Sequence, residues 1–166
     1  MIFKIKEHNN LYNNLLFLSR NIFFYKNLSL SDTFQTRITL MLFHFSVILI
    51  IFKKKKQDFD QNSYDHFFHN IEYNLRESGI GDVTVNKNMK DLNKTLYDIL
   101  LKLDLKINDN NQFQINSNLV LKYFNSFNDK KNSKFINFAQ FFNNFYKFCF
   151  ELRLDNMIQD IKLYKY

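Results

Sequence analysis

The chain has 166 residues, 46% hydrophobic and 23% charged, which is enough for one compact domain with a sizeable core and excludes wholesale disorder. Two glycines exclude a glycine-rich phosphate loop, no proline interrupts the chain, and the single cysteine, Cys149, excludes an internal disulfide. A net charge of +7 permits anionic lipid, RNA or acidic proteins as partners without choosing among them.

Twenty-one phenylalanines with abundant Asn, Lys, Ile and Tyr fit AT-rich coding, so they do not by themselves mark a binding surface. In chain order, Leu11, Leu15, Leu18, Ile22 and Tyr25 fall on one face of a helix predicted over 11–26. The stretch 27–31 breaks that pattern, and Asp32 or Ser31 is the expected cap of the next helix. That helix, about 33–56, is apolar on nearly every side. Its uncharged run, 38–52, is 15 residues, short of the roughly 18–20 a bilayer span needs. It is therefore predicted to be the buried central helix of a bundle. Lys53, Lys54, Lys55 and Lys56 follow as a solvated end suited to the helix dipole, with contact to lipid phosphates as the alternative.

A third helix over 59–77 turns Tyr64, Phe67, Phe68, Ile71 and Leu75 inward. A fourth, over 86–106, follows Val85 with Met89, Leu92, Leu96, Ile99 and Leu103 in steps of three and four. The polar stretch 108–118 reads as a loop. A shorter helix over 116–128 and a long one over 133–160 complete the chain, the latter striped by Phe135, Phe138, Phe142, Phe145 and Leu152. No strand signal appears beyond Val83, Thr84 and Val85. The expected architecture is all-α: a single domain over 1–166, a bundle of about six helices around the buried apolar one.

Both glycines sit in one corner between the third and fourth helices. Gly79 suits the position just past a helix end, where a left-handed backbone excludes side chains. Gly81 is expected to let the chain turn tightly, and Asp82 to accept from nearby backbone N–H groups. The segment 75–90 reads Leu-Arg-Glu-Ser-Gly-Ile-Gly-Asp-Val-Thr-Val-Asn-Lys-Asn-Met-Lys. Upstream, Asp32, Thr33, Arg37 and His44 form a second block, and Leu11, Tyr12, Ser19, Arg20, Phe24 and Tyr25 a third.

These blocks, in this order and spacing, resemble the ubiquinol–cytochrome c chaperone family of assembly factors for the cytochrome bc1 complex (respiratory complex III). The resemblance is strongest over 10–105, and 107–166 is generically helical. Thr36 stands where the family often has Gly, and Asp98 and Ile99 where it often has Gly and Arg. The resemblance implies a non-enzymatic assembly chaperone without cofactor. Its implied client is newly made cytochrome b or another complex III subunit, and a ribosome or a small partner protein is an implied further partner. The alternative is a basic peripheral module that binds anionic lipid or RNA through Lys53, Lys54, Lys55 and Lys56. Neither reading calls for DNA.

Arg76, Glu77, Gly79, Gly81, Asp82, Lys87 and Lys90 are the candidate client-docking residues, because a glycine corner with clustered charges suits a binding loop. The competing reading of Arg76, Glu77 and Asp82 is local support, with Arg76 paired to one of the two acids. Asp32, Thr33, Arg37 and His44 are assigned structural roles: an N-cap, an ion pair and a core histidine. As a buried imidazole His44 requires a hydrogen-bond partner; haem ligation is the weaker alternative. His66, His69 and Glu72 share one helix face but lack a supporting second pair, so they read as a polar face and not a metal site. No catalytic constellation is present. The first ten residues carry no apolar leader, so the expected location is the cytoplasm, or the matrix if organellar, with peripheral contact at the inner membrane face.

Overall fold

The computed structural model describes residues 2–104 and 112–166, with side chains from Leu11 onward. Among the described residues there are seven α-helices and no strand. They are α1 (Ile2–Ser19), α2 (Phe34–Lys54), α3 (Gln61–Glu77), α4 (Asp82–Asp104), α5 (Ser117–Tyr123), α6 (Ser133–Glu151) and the single turn α7 (Met157–Asp160). The all-α single domain around a buried apolar helix is what the sequence predicts.

α2 is the hub. It packs against α1, α4 and α6, while α3 bridges α1 and α4. Every residue from Ile38 to Ile48 is buried. By length and composition α2 could cross a membrane, yet 72% of its most apolar stretch is covered by the fold. Its polar residues are handled inside the helix. Thr39, Ser46 and His44 each bond the carbonyl four residues back, at 2.8, 2.8 and 2.7 Å. A helix apolar all round is stable here because neighbours surround it.

The abundant asparagines find a use at helix starts. Asn116 accepts from the Leu119 amide and Asn132 from the Lys134 amide, while Asp60 does the same for α3 through Ser63. α2 departs from expectation. Thr33, not Asp32 or Ser31, is its N-cap, accepting from the Thr36 amide at 3.1 Å. Asp32 instead takes the Arg37 Nε at 2.9 Å.

Other boundaries differ too. α1 stops at Ser19, and a π-helical turn at Phe23–Asn27 replaces the predicted continuation. Ile22 is consequently 59% exposed, and Phe24, fully buried, takes the inward position. Phe24 meets Phe141 at 4.7 Å, a contact no local pattern announces. α4 begins at Asp82, so Val83, Thr84 and Val85 are helical, with Val85 buried and Val83 exposed. The long terminal helix breaks after Glu151, and the shorter one is α5 followed by a tight turn at Asn125–Phe127. The predicted fourth-helix end and residues 108–111 of the predicted loop lie outside the described residues; 112–116 are without regular structure, and α5 begins at Ser117.

The core between α2 and α6 is aromatic. Phe135, Phe138, Phe142 and Phe145 are all buried, as the stripe predicts, while Leu152 is only partly covered. Cys149 is a buried core residue, and burial drives its thiol pKa well up.

Candidate functional site

α3 ends at Glu77 because the chain reaches Gly79 with φ +81°, a conformation that suits glycine. The Ser78 and Gly79 amides bond the Asn74 and Arg76 carbonyls at 3.1 and 3.0 Å. Gly81 behaves differently from expectation. Its φ is outside the left-handed region, and a Cβ there would meet nothing within 4 Å. Its carbonyl receives the Val85 amide at 3.0 Å, which places it at the start of α4. Neither strain nor space demands a glycine at 81.

Arg76 holds the corner shut. Its guanidinium spans from Glu72 Oε1, at 2.9 Å one turn back on α3, to the Asp82 carboxylate at the head of α4. These two acids raise the Arg76 pKa. Asp82 therefore serves a side chain rather than backbone amides, and it also suits the positive end of α4. Glu77 does not join; it accepts from the Tyr73 hydroxyl on its own helix. The paired-acid reading of Arg76 thus holds for Asp82 and not for Glu77.

Lys87 and Lys90 lie exposed on α4 and make no ion pair among the described residues. Beside the corner a shallow cleft of about 320 Å3 opens between α3 and α4, lined by Phe68, His69, Glu72 and Met89 among others. Glu72 belongs to both the cleft and the Arg76 clamp. Tyr73 and Val83 stand exposed near this end, whereas Tyr97 and Leu101, also more than half exposed, lie about four to five turns further along α4. The sequence reading passed over them because it sought apolar residues on the inward stripes. Listing those off the stripes would have found them.

The second block is split by the fold. Asp32, Thr33 and Arg37 sit at the start of α2, while His44 lies more than a turn deeper, fully buried. Its Nδ1 donates to Leu40, so the neutral ring presents Nε2 as a bare acceptor, and Nε2 has no partner. Rings of Phe24, Phe141, Phe142 and Phe145 enclose it at 6.0, 5.7, 4.8 and 4.9 Å. Burial pushes the His44 pKa down to about 4, against the opposing Leu40 bond. A metal centre would have to open this core to reach Nε2. His66 bonds the Asn62 carbonyl and Glu72 is engaged by Arg76, so two of the three residues on that face of α3 are used within the fold, while His69 is exposed at the cleft.

The lysine run is not uniformly solvated. Lys53 bridges to Asp104 of α4. Lys55 donates to the Phe150 and Leu152 carbonyls at 2.6 and 3.1 Å, closing the C-terminal end of α6. Lys54 and Lys56 stay exposed.

Two of the three sequence blocks, at 32–44 and 75–90, fall within one family match: the model for the ubiquinol–cytochrome C chaperone covers residues 26–140, well over half the chain, leaving the block at 11–25 outside and reaching beyond 105 into the part read as generically helical. The chain belongs to the ubiquinol–cytochrome c chaperone family. The match runs from the π-helical turn through α5 into α6, so it takes in the α2 hub and the glycine corner together. No curated protein and no solved structure matches the chain. Membership in this family makes the general role one of chaperoning assembly of complex III, with a client inside that complex.

Proposed function

We propose that this ubiquinol–cytochrome c chaperone holds newly made cytochrome b, without catalysis, until haem and partner subunits join. The docking surface in this reading is the α3–α4 corner: Arg76, Glu77, Gly79, Gly81 and Asp82, with Lys87 and Lys90 beside it. One observation carries the assignment. Glu77, Gly81, Asp82, Lys87 and Lys90 are exposed, and among them only Asp82 ties the two helices together. A motif spent on exposed residues, at a glycine the backbone does not require, is better suited to recognition than to folding. The work is expected on the cytoplasmic or matrix side of the membrane that carries complex III, with ribosome or small-partner contact as an optional addition.

The deciding experiment is deletion of the gene, scored by cytochrome b absorbance and quinol–cytochrome c reductase activity in membranes. Selective loss of both, restored by the wild-type chain and not by Lys87→Glu with Lys90→Glu, supports the reading. Intact complex III in the deletion strain sinks it. Full rescue by the double variant leaves the assembly role but removes the corner as its docking surface.

A further inference from the structure

The end of α1 meets the last residues of the chain at a second surface, away from the motif. There Phe17, Arg20 and Asn21 face Lys162, Lys165 and Tyr166 across a cleft of about 490 Å3. No acidic side chain lines it, and Arg20, Lys162 and Lys165 make no ion pair among the described residues. The wall behind them is firm. The Tyr166 ring lies 4.7 Å from Phe23 and 5.3 Å from Phe141, and the Tyr164 hydroxyl donates to the Phe141 carbonyl at 2.9 Å.

Apolar side chains gather at the same end. Phe17 is 62% exposed, Ile22 59%, Leu163 59% and Tyr166 47%. They are four of the ten large hydrophobic residues exposed among the described residues, and all belong to two short segments that line or adjoin this cleft. Leaving Phe17, Ile22 and Leu163 more than half exposed, beside three cations with no ion pair among the described residues, serves no folding purpose.

We propose that this cleft and its rim are the surface by which the protein rests on an anionic lipid bilayer. The cations would take lipid phosphates, and the aromatic and aliphatic side chains would enter the boundary between headgroups and acyl chains. Ile22 and Leu163 favour lipid over RNA, because, unlike the rings of Phe17 and Tyr166, they offer no face on which a base could stack. Protein interfaces are depleted in lysine, and two of the three cations here are lysines, which disfavours a protein partner. The surface also relocates lipid contact from the lysine run, where Lys53 and Lys55 are tied into the fold. The proposal rests on the reading that the protein works beside a membrane complex.

The test is co-sedimentation of the full chain with vesicles of phosphatidylcholine alone and of phosphatidylcholine with phosphatidylglycerol. Binding is expected only to the anionic vesicles. Each cation removed should weaken it roughly fivefold, so Arg20→Gln, Lys162→Gln and Lys165→Gln together should cost about a hundredfold. Phe17→Ser with Leu163→Ser should weaken binding that persists at high salt, whereas Lys54→Gln with Lys56→Gln should change it little. Unaltered binding by the triple variant overturns the proposal, as does loss on the Lys54 and Lys56 pair alone. Capture of RNA or an acidic polypeptide through these residues, without vesicle binding, also overturns it. The two readings fail separately. A chain that restores complex III but never binds vesicles removes this surface alone; one that binds vesicles here, in an organism whose complex III survives deletion, removes the assembly role alone.

Discussion

The α2–α6 core and the α3–α4 corner are built on opposite principles. Around His44, residue choice follows from packing: Phe24, Phe43, Phe138, Phe141, Phe142 and Phe145 are fully buried and in ring contact. At the corner, Gly79 alone answers to the backbone, and most of the motif faces solvent. The contrast teaches where to look for function. A residue that packing already explains says little about partners, and one that packing leaves unexplained is free to serve them.

The comparison breaks most sharply at Phe142, whose ring touches Phe24, Phe43, Phe138, Phe141, Phe145 and His44. Phe142→Ala is expected to destabilise by about 3–5 kcal/mol, measured by denaturant unfolding. A change under about 1 kcal/mol would show that the aromatic core is loosely packed.

His44 comes next. Its folded pKa, about 4, lies below the ordinary 6.5, so the unfolded chain binds the extra proton between those values. Stability is therefore complete above the unfolded value and falls as pH drops from 6.5 towards 4, by up to about 3 kcal/mol. His44→Leu should flatten that slope in a pH series of unfolding curves. An unchanged slope would place the acid sensitivity elsewhere. One other candidate is Asp98: burial opposes its charge, but Lys102, Lys122 and Tyr123 hold its carboxyl well below the usual range. Its contribution is present above the ordinary carboxylate pKa and is lost at lower pH than that of His44, so the two separate in such a series.

A finer cut separates the two glycines. Gly79→Ala should cost about 1 kcal/mol, because φ +81° is strained for alanine. Gly81→Ser should be neutral or gain a few tenths of a kcal/mol as an N-cap, readable as a small rise in Tm. Equal losses at both positions would mean that the corner is tighter than its open surroundings imply. The smallest stability effect belongs to Lys87→Glu and Lys90→Glu, expected within about 0.5 kcal/mol of wild type. Paired with loss of complex III, that result would sharpen the division between core and corner.

The helices themselves were legible in the sequence because periodicity in 3.6-residue steps is a local property. So was the αL glycine at 79, since the clash it avoids arises within its own residue. The need at Gly81 was misread because a glycine's neighbours in sequence do not reveal its φ. The exposed side chains of Tyr73, Val83, Tyr97 and Leu101 were missed because hydrophobicity alone does not say which face meets solvent.

What the chain determines by itself is thus the all-α class, the stop at Gly79, the inward stripes and the two family blocks. Tertiary structure decided the rest: that Phe24 and not Ile22 turns inward, that Lys55 closes α6, and that His44 keeps one nitrogen unpaired among four aromatic rings. It also decided that α1 and the final residues meet in a cationic cleft. Each of these depends on residues far apart in the chain, and pairing between distant segments is set by how whole faces fit together, which no window of sequence contains.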